Sequence, residues 1–94
     1  MEIPMSAPNT RLRKSPQVAY QDLHDGGVLL HLESGQYHGL NEMGCVIWAL
    51  VDGERTLGDL VAELRIRLED APASLEADVA DFVRDLRARR LILA

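Results

Sequence analysis

The sequence predicts an α+β fold, a three-stranded antiparallel sheet followed by three helices. Three observations carry this reading. Between residues 18 and 40 the apolar residues recur with period two, broken by the turn signals Asp25-Gly26-Gly27 and Ser34-Gly35. From Asn41 onward the period changes to that of a helix. Two stop signals, Asp52-Gly53 and Pro72, then divide the helical half into three.

Size and charge set the outer limits. Ninety-four residues suffice for one modest core but not for a catalytic domain with a deep cleft. With 47% hydrophobic and only 4% aromatic residues, the core must be aliphatic. A net charge of −5 opposes a phosphate backbone, because affinity for nucleic acid rests on counterion release by basic residues. No nucleic acid partner is therefore expected. The single cysteine, Cys45, allows neither an internal disulfide nor a CxxC pair. No apolar run is long enough to span a bilayer, and MEIPMSAPNTRLRKSP lacks the apolar region of a secretory signal. No membrane contact and a cytoplasmic location are the expectation.

The elements follow in order. Met1–Pro16, rich in Pro, Ser, Asn and basic residues, is expected to be a flexible arm ahead of a single domain over residues 17–94. Val18–His24 alternates weakly and forms the first strand. Val28, Leu30 and Leu32 alternate with Leu29 and His31 in the second, and Gln36–Leu40 is the third. Asn41 is a good N-cap for a helix carrying Met43, Val46, Ile47, Leu50 and Val51. Thr56 opens the next helix with Asp59 as a shortened capping box, and Leu57, Leu60, Val61, Leu64 and Leu68 form its stripe. The third helix restarts at Ser74 and runs to about Arg90, burying Leu75, Val79, Phe82, Val83 and Leu86. Its acids lie early and its bases late, as the helix dipole favours, so these charges need no ligand. Leu91-Ile92-Leu93 is an extended tail packed back on the core.

The hairpin can be read in more detail. With Ser34-Gly35 as a two-residue turn, Glu33 faces Gln36, Leu32 faces Tyr37, His31 faces His38 and Leu30 faces Gly39. Alternation of hydrogen-bonded pairs then directs the backbone groups of Gln36 and His38 inward and those of Tyr37 and Gly39 outward. Leu23, Val28, Leu30, Leu32 and Tyr37 are expected to cover the helices, with Tyr20, His31 and His38 towards water. An unpaired edge is usually blunted by charge, proline or a bulge, and Gln36–Leu40 has none of these. Such an edge is either harmless through its brevity or a docking site to which an extended peptide adds a fourth strand. In the second case the amphipathic third helix supplies the side-chain pockets.

Catalytic chemistry finds little support. Cys45 sits in the apolar stretch Gly44–Val51 and reads as a core cysteine, not a nucleophile. His31 and His38, with Tyr20 in the same row, could approach a metal, but no third strong ligand completes the set. Gly26-Gly27 is a turn and does not lead into a helix, so there is no phosphate loop. No catalytic residue, metal or cofactor is expected.

The run VLLHLESGQYHGLNEMGCVIWALVDGERTLGDLVAEL resembles the PqqD-like peptide-recognition domains, which bind leader peptides of ribosomally made, modified peptides. The matching features are Leu30–Leu32, Glu33-Ser34-Gly35, Tyr37–Asn41, Ile47-Trp48, Asp52-Gly53 and Thr56. DVADFVRDLRARRLI (Asp78–Ile92) matches the family's final helix and tail, so the resemblance covers about residues 17–93. It implies a winged-helix-like fold in which the leader joins the edge of the third strand (Gln36, Tyr37, His38, Gly39, Leu40). The leader then rests against a wall drawn from Val79, Phe82, Val83 and Leu86, of which sequence does not say which face the groove. ESGQYHGLN is most similar to the branch serving lasso-peptide biosynthesis. That branch implies a non-catalytic protein delivering its precursor to a cysteine-protease leader peptidase and a cyclase. A precursor-peptide chaperone of pyrroloquinoline quinone biosynthesis is the alternative within the family; that branch usually has a Pro-Glu-Arg type turn here. A winged-helix DNA-binding regulator is the alternative outside it, opposed by the acidity of the middle helix (Asp59, Glu63, Glu69).

Overall fold

The computed structural model describes residues 10–93. Its elements are β1 (Arg13–Lys14), β2 (Val18–Leu23), β3 (Gly26–His31), β4 (Tyr37–Leu40), α1 (Glu42–Leu50), α2 (Leu57–Arg67), α3 (Leu75–Ala88) and β5 (Ile92–Leu93). β2, β3 and β4 form an antiparallel sheet in that order, followed by the three helices. The α+β architecture read from the periodicity is the one observed.

Local chemistry accounts for the helix boundaries. The Asn41 side chain accepts from the Gly44 amide at 2.7 Å and so satisfies one of the unpaired donors that open α1. Thr56 and Asp59 exchange both bonds of a capping box, at 3.1 and 3.0 Å. Between these helices the Asp52 carboxylate accepts from the amides of Glu54 and Arg55, while Gly53 takes a φ of 86° that few other residues adopt. α3 buries Leu75, Val79, Val83 and Leu86 on one stripe against Leu60, Leu64 and Trp48 in a common aliphatic core.

Three expectations are corrected. Of the segment Met1–Pro16, residues 1–9 lie outside the described residues, but residues 10–16 do not form a free arm. Leu12 is fully buried, Arg13 pairs with Leu93, and Lys14 pairs with Ile92. Lys14 also places its ammonium 5.2 Å from the Trp48 ring centroid. Tail and arm therefore clasp each other in a second, two-stranded ladder, which shields Leu91 and Ile92. The periodicity of a two-residue strand is too short to read from sequence.

The second correction is the hairpin register. Leu30 faces Tyr37, Leu29 faces His38, Val28 faces Gly39 and Gly27 faces Leu40, two residues away from the tight-turn pairing. The connection is a longer loop. His31 N–H donates to the Gln36 carbonyl at 2.9 Å and Gly35 N–H donates to the His31 carbonyl at 2.7 Å. Inside it, His31 Nδ1 accepts from the amides of Glu33 and Ser34, and Gly35 adopts a φ of 75°. His31 is thus a loop-organising side chain, and it does not face His38.

The third correction concerns the faces of the sheet. Gly27, Leu29 and His31 face the helices and are buried, and Leu40 joins them. Leu23, Leu32 and Tyr37 are exposed instead, and Val28 and Leu30 are half-buried. Tyr20, His31 and His38 do share a side, as expected, but it is the helix side. The reason is visible at Gly27. A Cβ there would lie 2.7 Å from the Tyr20 ring and 3.0 Å from Cys45 Sγ, so the sheet closes on α1 only where that residue has no side chain. The Cys45 thiol beside it, then desolvation and Asp22, push the Tyr20 phenol above its ordinary range.

Candidate functional site

Among the described residues, β4 has a neighbour on one side only. The His31 N–H to Gln36 carbonyl bond fixes the alternation, so Leu29–His38 and Gly27–Leu40 are the hydrogen-bonded pairs. The backbone N–H and C=O of Tyr37 and Gly39 then point away from the sheet. A register shift of two residues leaves this outward set unchanged, because the alternation has period two. β4 bears no Lys, Arg, Asp or Glu, and a Cβ built on Gly39 would meet nothing within 4 Å. The edge is therefore open both electrically and sterically.

What lies beside it is α3, running in the opposite direction. At the Asn41 end, a mostly apolar cleft of about 230 Å³ is lined by Met43, Ile47 and Gly44 of α1, and by Leu75, Asp78 and Phe82 of α3. At the middle, His38 Nε2 lies 3.9 Å from Asp85 Oδ2. At the Gln36 end, Arg89 shares a small notch with Gln36, Tyr37 and His38. The residues of α3 and its C-cap that look along β4 are thus Asp78, Phe82, Asp85 and Arg89, at helical spacings of four, three and four.

Of the four residues from which the sequence draws the wall, Phe82 alone lies on this stripe. Val83 and Leu86 are in the core, as is most of Val79, which only floors the apolar cleft. Phe82 alone of the four presents a ring to the cleft while half-buried. Asp78, Asp85 and Arg89 carry no signal of a groove in the sequence, because a stripe with one apolar member has no hydrophobic period, and Asn41 and Met43 read only as cap and helix face. Of the strand positions, Tyr37 is 71% exposed, Gln36 and Gly39 are exposed, His38 is half-buried and Leu40 is buried. No group of three or more metal-ligating side chains occurs among the described residues. Nor is any helix among them long and apolar enough to cross a membrane.

With this geometry in place, the comparisons can be read. Residues 26–92 match the family described as Coenzyme PQQ synthesis protein D (PqqD). The chain belongs to the PqqD family. The match spans β3 through β5 and so includes both the open edge and α3. Comparison with curated proteins yields no match. Among solved structures, the PqqD-family chain is similar to TbiB1 in complex with the TbiA(beta) leader peptide. There the identity is 30% and the TM-score 0.74, over 85% of this chain and 93% of that one. It is also similar to a lasso peptide synthetase B1 complexed with its leader peptide. The identity is 25% and the TM-score 0.76, over 90% of this chain and all of the other.

Proposed function

We propose that this chain is a non-catalytic, cytoplasmic recognition module for the leader segment of a ribosomally made precursor of the lasso-peptide class. The leader adds as a fourth strand to β4. The bound precursor is then handed to a cysteine-protease leader peptidase and a cyclase. The observation that carries the reading is the uncharged open edge of β4 with α3 alongside it. The two similar structures, each described as a complex with a leader peptide, supply the class of ligand.

The physics of such capture is simple. A leader is disordered when free, and ordering it opposes binding. The preformed edge offers the N–H and C=O groups of Tyr37 and Gly39 as a template that needs no rearrangement. An apolar anchor from the leader, seated in the cleft against Phe82, Met43 and Ile47, supplies most of the affinity. Positions Gln36 to Leu40 set the register, and Val79, Val83 and Leu86 act by holding α3 at its distance from the strand. The family description favours a second reading, in which the precursor belongs to pyrroloquinoline quinone biosynthesis.

The test uses fluorescent synthetic leaders of lasso precursors and of pyrroloquinoline quinone precursors, titrated against the full chain. Gly39→Ala, which has room for its methyl group, should bind as the native chain does. Gly39→Pro removes one outward N–H and should weaken binding at least tenfold. Equal affinity of a folded Gly39→Pro chain for its best leader would defeat strand addition.

A further inference from the structure

The groove has a second, chemically different end. The notch beside Gln36 has a volume of about 20 Å³, the space of a single water or a carboxylate oxygen. It is lined by His31, Ser34, Gln36, Tyr37, His38, Arg89 and Leu91. Four of these turn a hydrogen-bond donor towards it or have one to spare. His31 is the informative one, because it is only 8% exposed. Its Nδ1 accepts from the amides of Glu33 and Ser34 at 3.3 and 3.4 Å, which leaves the ring proton on Nε2. That Nε2–H takes no partner among the described residues, yet no fully buried side-chain atom among them is unsatisfied. The nitrogen is therefore not sealed in the core, and the ring that carries it lines the notch.

The other donors are placed by their own bonds. Ser34 Oγ accepts from the Gln36 amide at 3.3 Å, and its own proton is free to turn. Arg89 donates through Nε to both oxygens of Asp85, at 3.2 and 3.3 Å. That contact holds the guanidinium in place while its two terminal NH₂ groups have no partner among the described residues. The Gln36 side-chain amide completes the set. The charged and titratable groups around the notch are thus Arg89, Asp85, His31, His38 and the Tyr37 phenol. The one carboxylate among them is already engaged by Arg89, with His38 nearby.

We infer that this notch recognises the carboxylate side chain of an Asp or Glu in the bound peptide, and thereby fixes the peptide's register and direction. The inference rests on the strand-addition reading above. A planar carboxylate suits the paired terminal N–H groups of an arginine and a neighbouring imidazole N–H. On an added strand, only the residues opposite Gln36, His38 and Leu40 point towards α3, because side chains alternate between faces. An antiparallel strand, as throughout this sheet, sets its apolar anchor opposite Leu40 and its acid opposite Gln36. The acid then follows the anchor by four residues, about 13 Å at roughly 3.3 Å per residue. The expected motif is apolar-x-x-x-acid, read from N- to C-terminus. Reversal or slippage moves the acid away from its donors and towards Asp78, on the rim of the apolar cleft.

The experiment is a selection from a random twelve-residue display library on the immobilised full chain, followed by titration of the winners. Winners that lose binding to Gly39→Pro are the edge-bound ones. These should carry Asp or Glu four residues after a large apolar residue. Changing that acid to its amide should weaken binding to the native chain about tenfold and have little effect with Arg89→Gln. The His31 imidazole NMR signals should shift with the acidic peptide and not with its amide twin. Circular dichroism of Arg89→Gln should match the native chain. Edge-bound winners that lack the acid, carry a base there, or bind equally as amides overturn the notch and leave strand addition standing. The absence of any Gly39-dependent winner overturns strand addition, and the notch with it.

Discussion

The sheet has two edges, and only one of them looks like a place to bind something. β2 is six residues long, carries Asp22, and has Tyr20 folded over its face towards Asp22 and Cys45. β4 is four residues long, uncharged, and flanked by α3 with a cleft at one end and a notch at the other. Both edges leave the same kind of backbone groups unpaired among the described residues. The difference teaches that an open edge is a common by-product of a small sheet. A helix beside it, spaced so that side chains can enter, turns the edge into a site.

The contrast between the two edges is open to four measurements. Val83→Asp puts a carboxylate into the buried stripe of α3 and should cost more than about 3 kcal/mol, unfolding much of the population. A folded Val83→Asp chain that binds no leader, judged by circular dichroism beside the titration, would place Val83 in the wall after all. Next, proline is compared at outward positions of the two edges. The Leu32 N–H to Gln17 carbonyl bond makes Asp22 an outward residue of β2, as Gly39 is of β4. Asp22→Pro should leave leader affinity within twofold, whereas Gly39→Pro should lower it at least tenfold. Equal losses at both edges would erase the distinction.

Phe82→Ala comes third. It empties one wall of the cleft and removes a half-buried ring from the edge of the core. Affinity should therefore fall about tenfold and the melting temperature by about ten degrees, with the chain still folded at about 25 °C. The smallest effect is a baseline away from both edges. The amides of Arg55 and Glu54 hold the Asp52 carboxyl below its ordinary 3.8. A depressed carboxyl contributes its full stability above that ordinary value and loses it as pH falls through the folded-state pKa. Denaturation of the native chain and Asp52→Asn should therefore differ at neutral pH and converge in acid, with leader affinity unaffected at neutral pH.

How much of this was legible in the residues depends on the kind of signal. Caps and stops were readable because a single side chain decides them. Asn41, Thr56 with Asp59, and Gly53 all do what their chemistry requires. The open edge and its outward residues were readable because they depend only on parity. The side of the sheet was not, since Val28, Leu29 and Leu30 are apolar on both faces and alternation cannot choose between them. Clearance chose, at Gly27. Which side of α3 looks along β4 is illegible for a related reason. Apolar periodicity finds the core stripe of α3, whereas a stripe of mixed character (Asp78, Phe82, Asp85, Arg89) emerges only when β4 is seen beside it.

The clasp between β1 and β5 bears on how far the chain can be trimmed. Because Arg13 sits opposite Leu93, the first and last strands of the described residues meet in one seam. The seam lies on a different ladder from the three-stranded sheet. Trimming either strand therefore uncovers the apolar side chain at the other, Leu12 or Ile92, and the two ends hold or fail together.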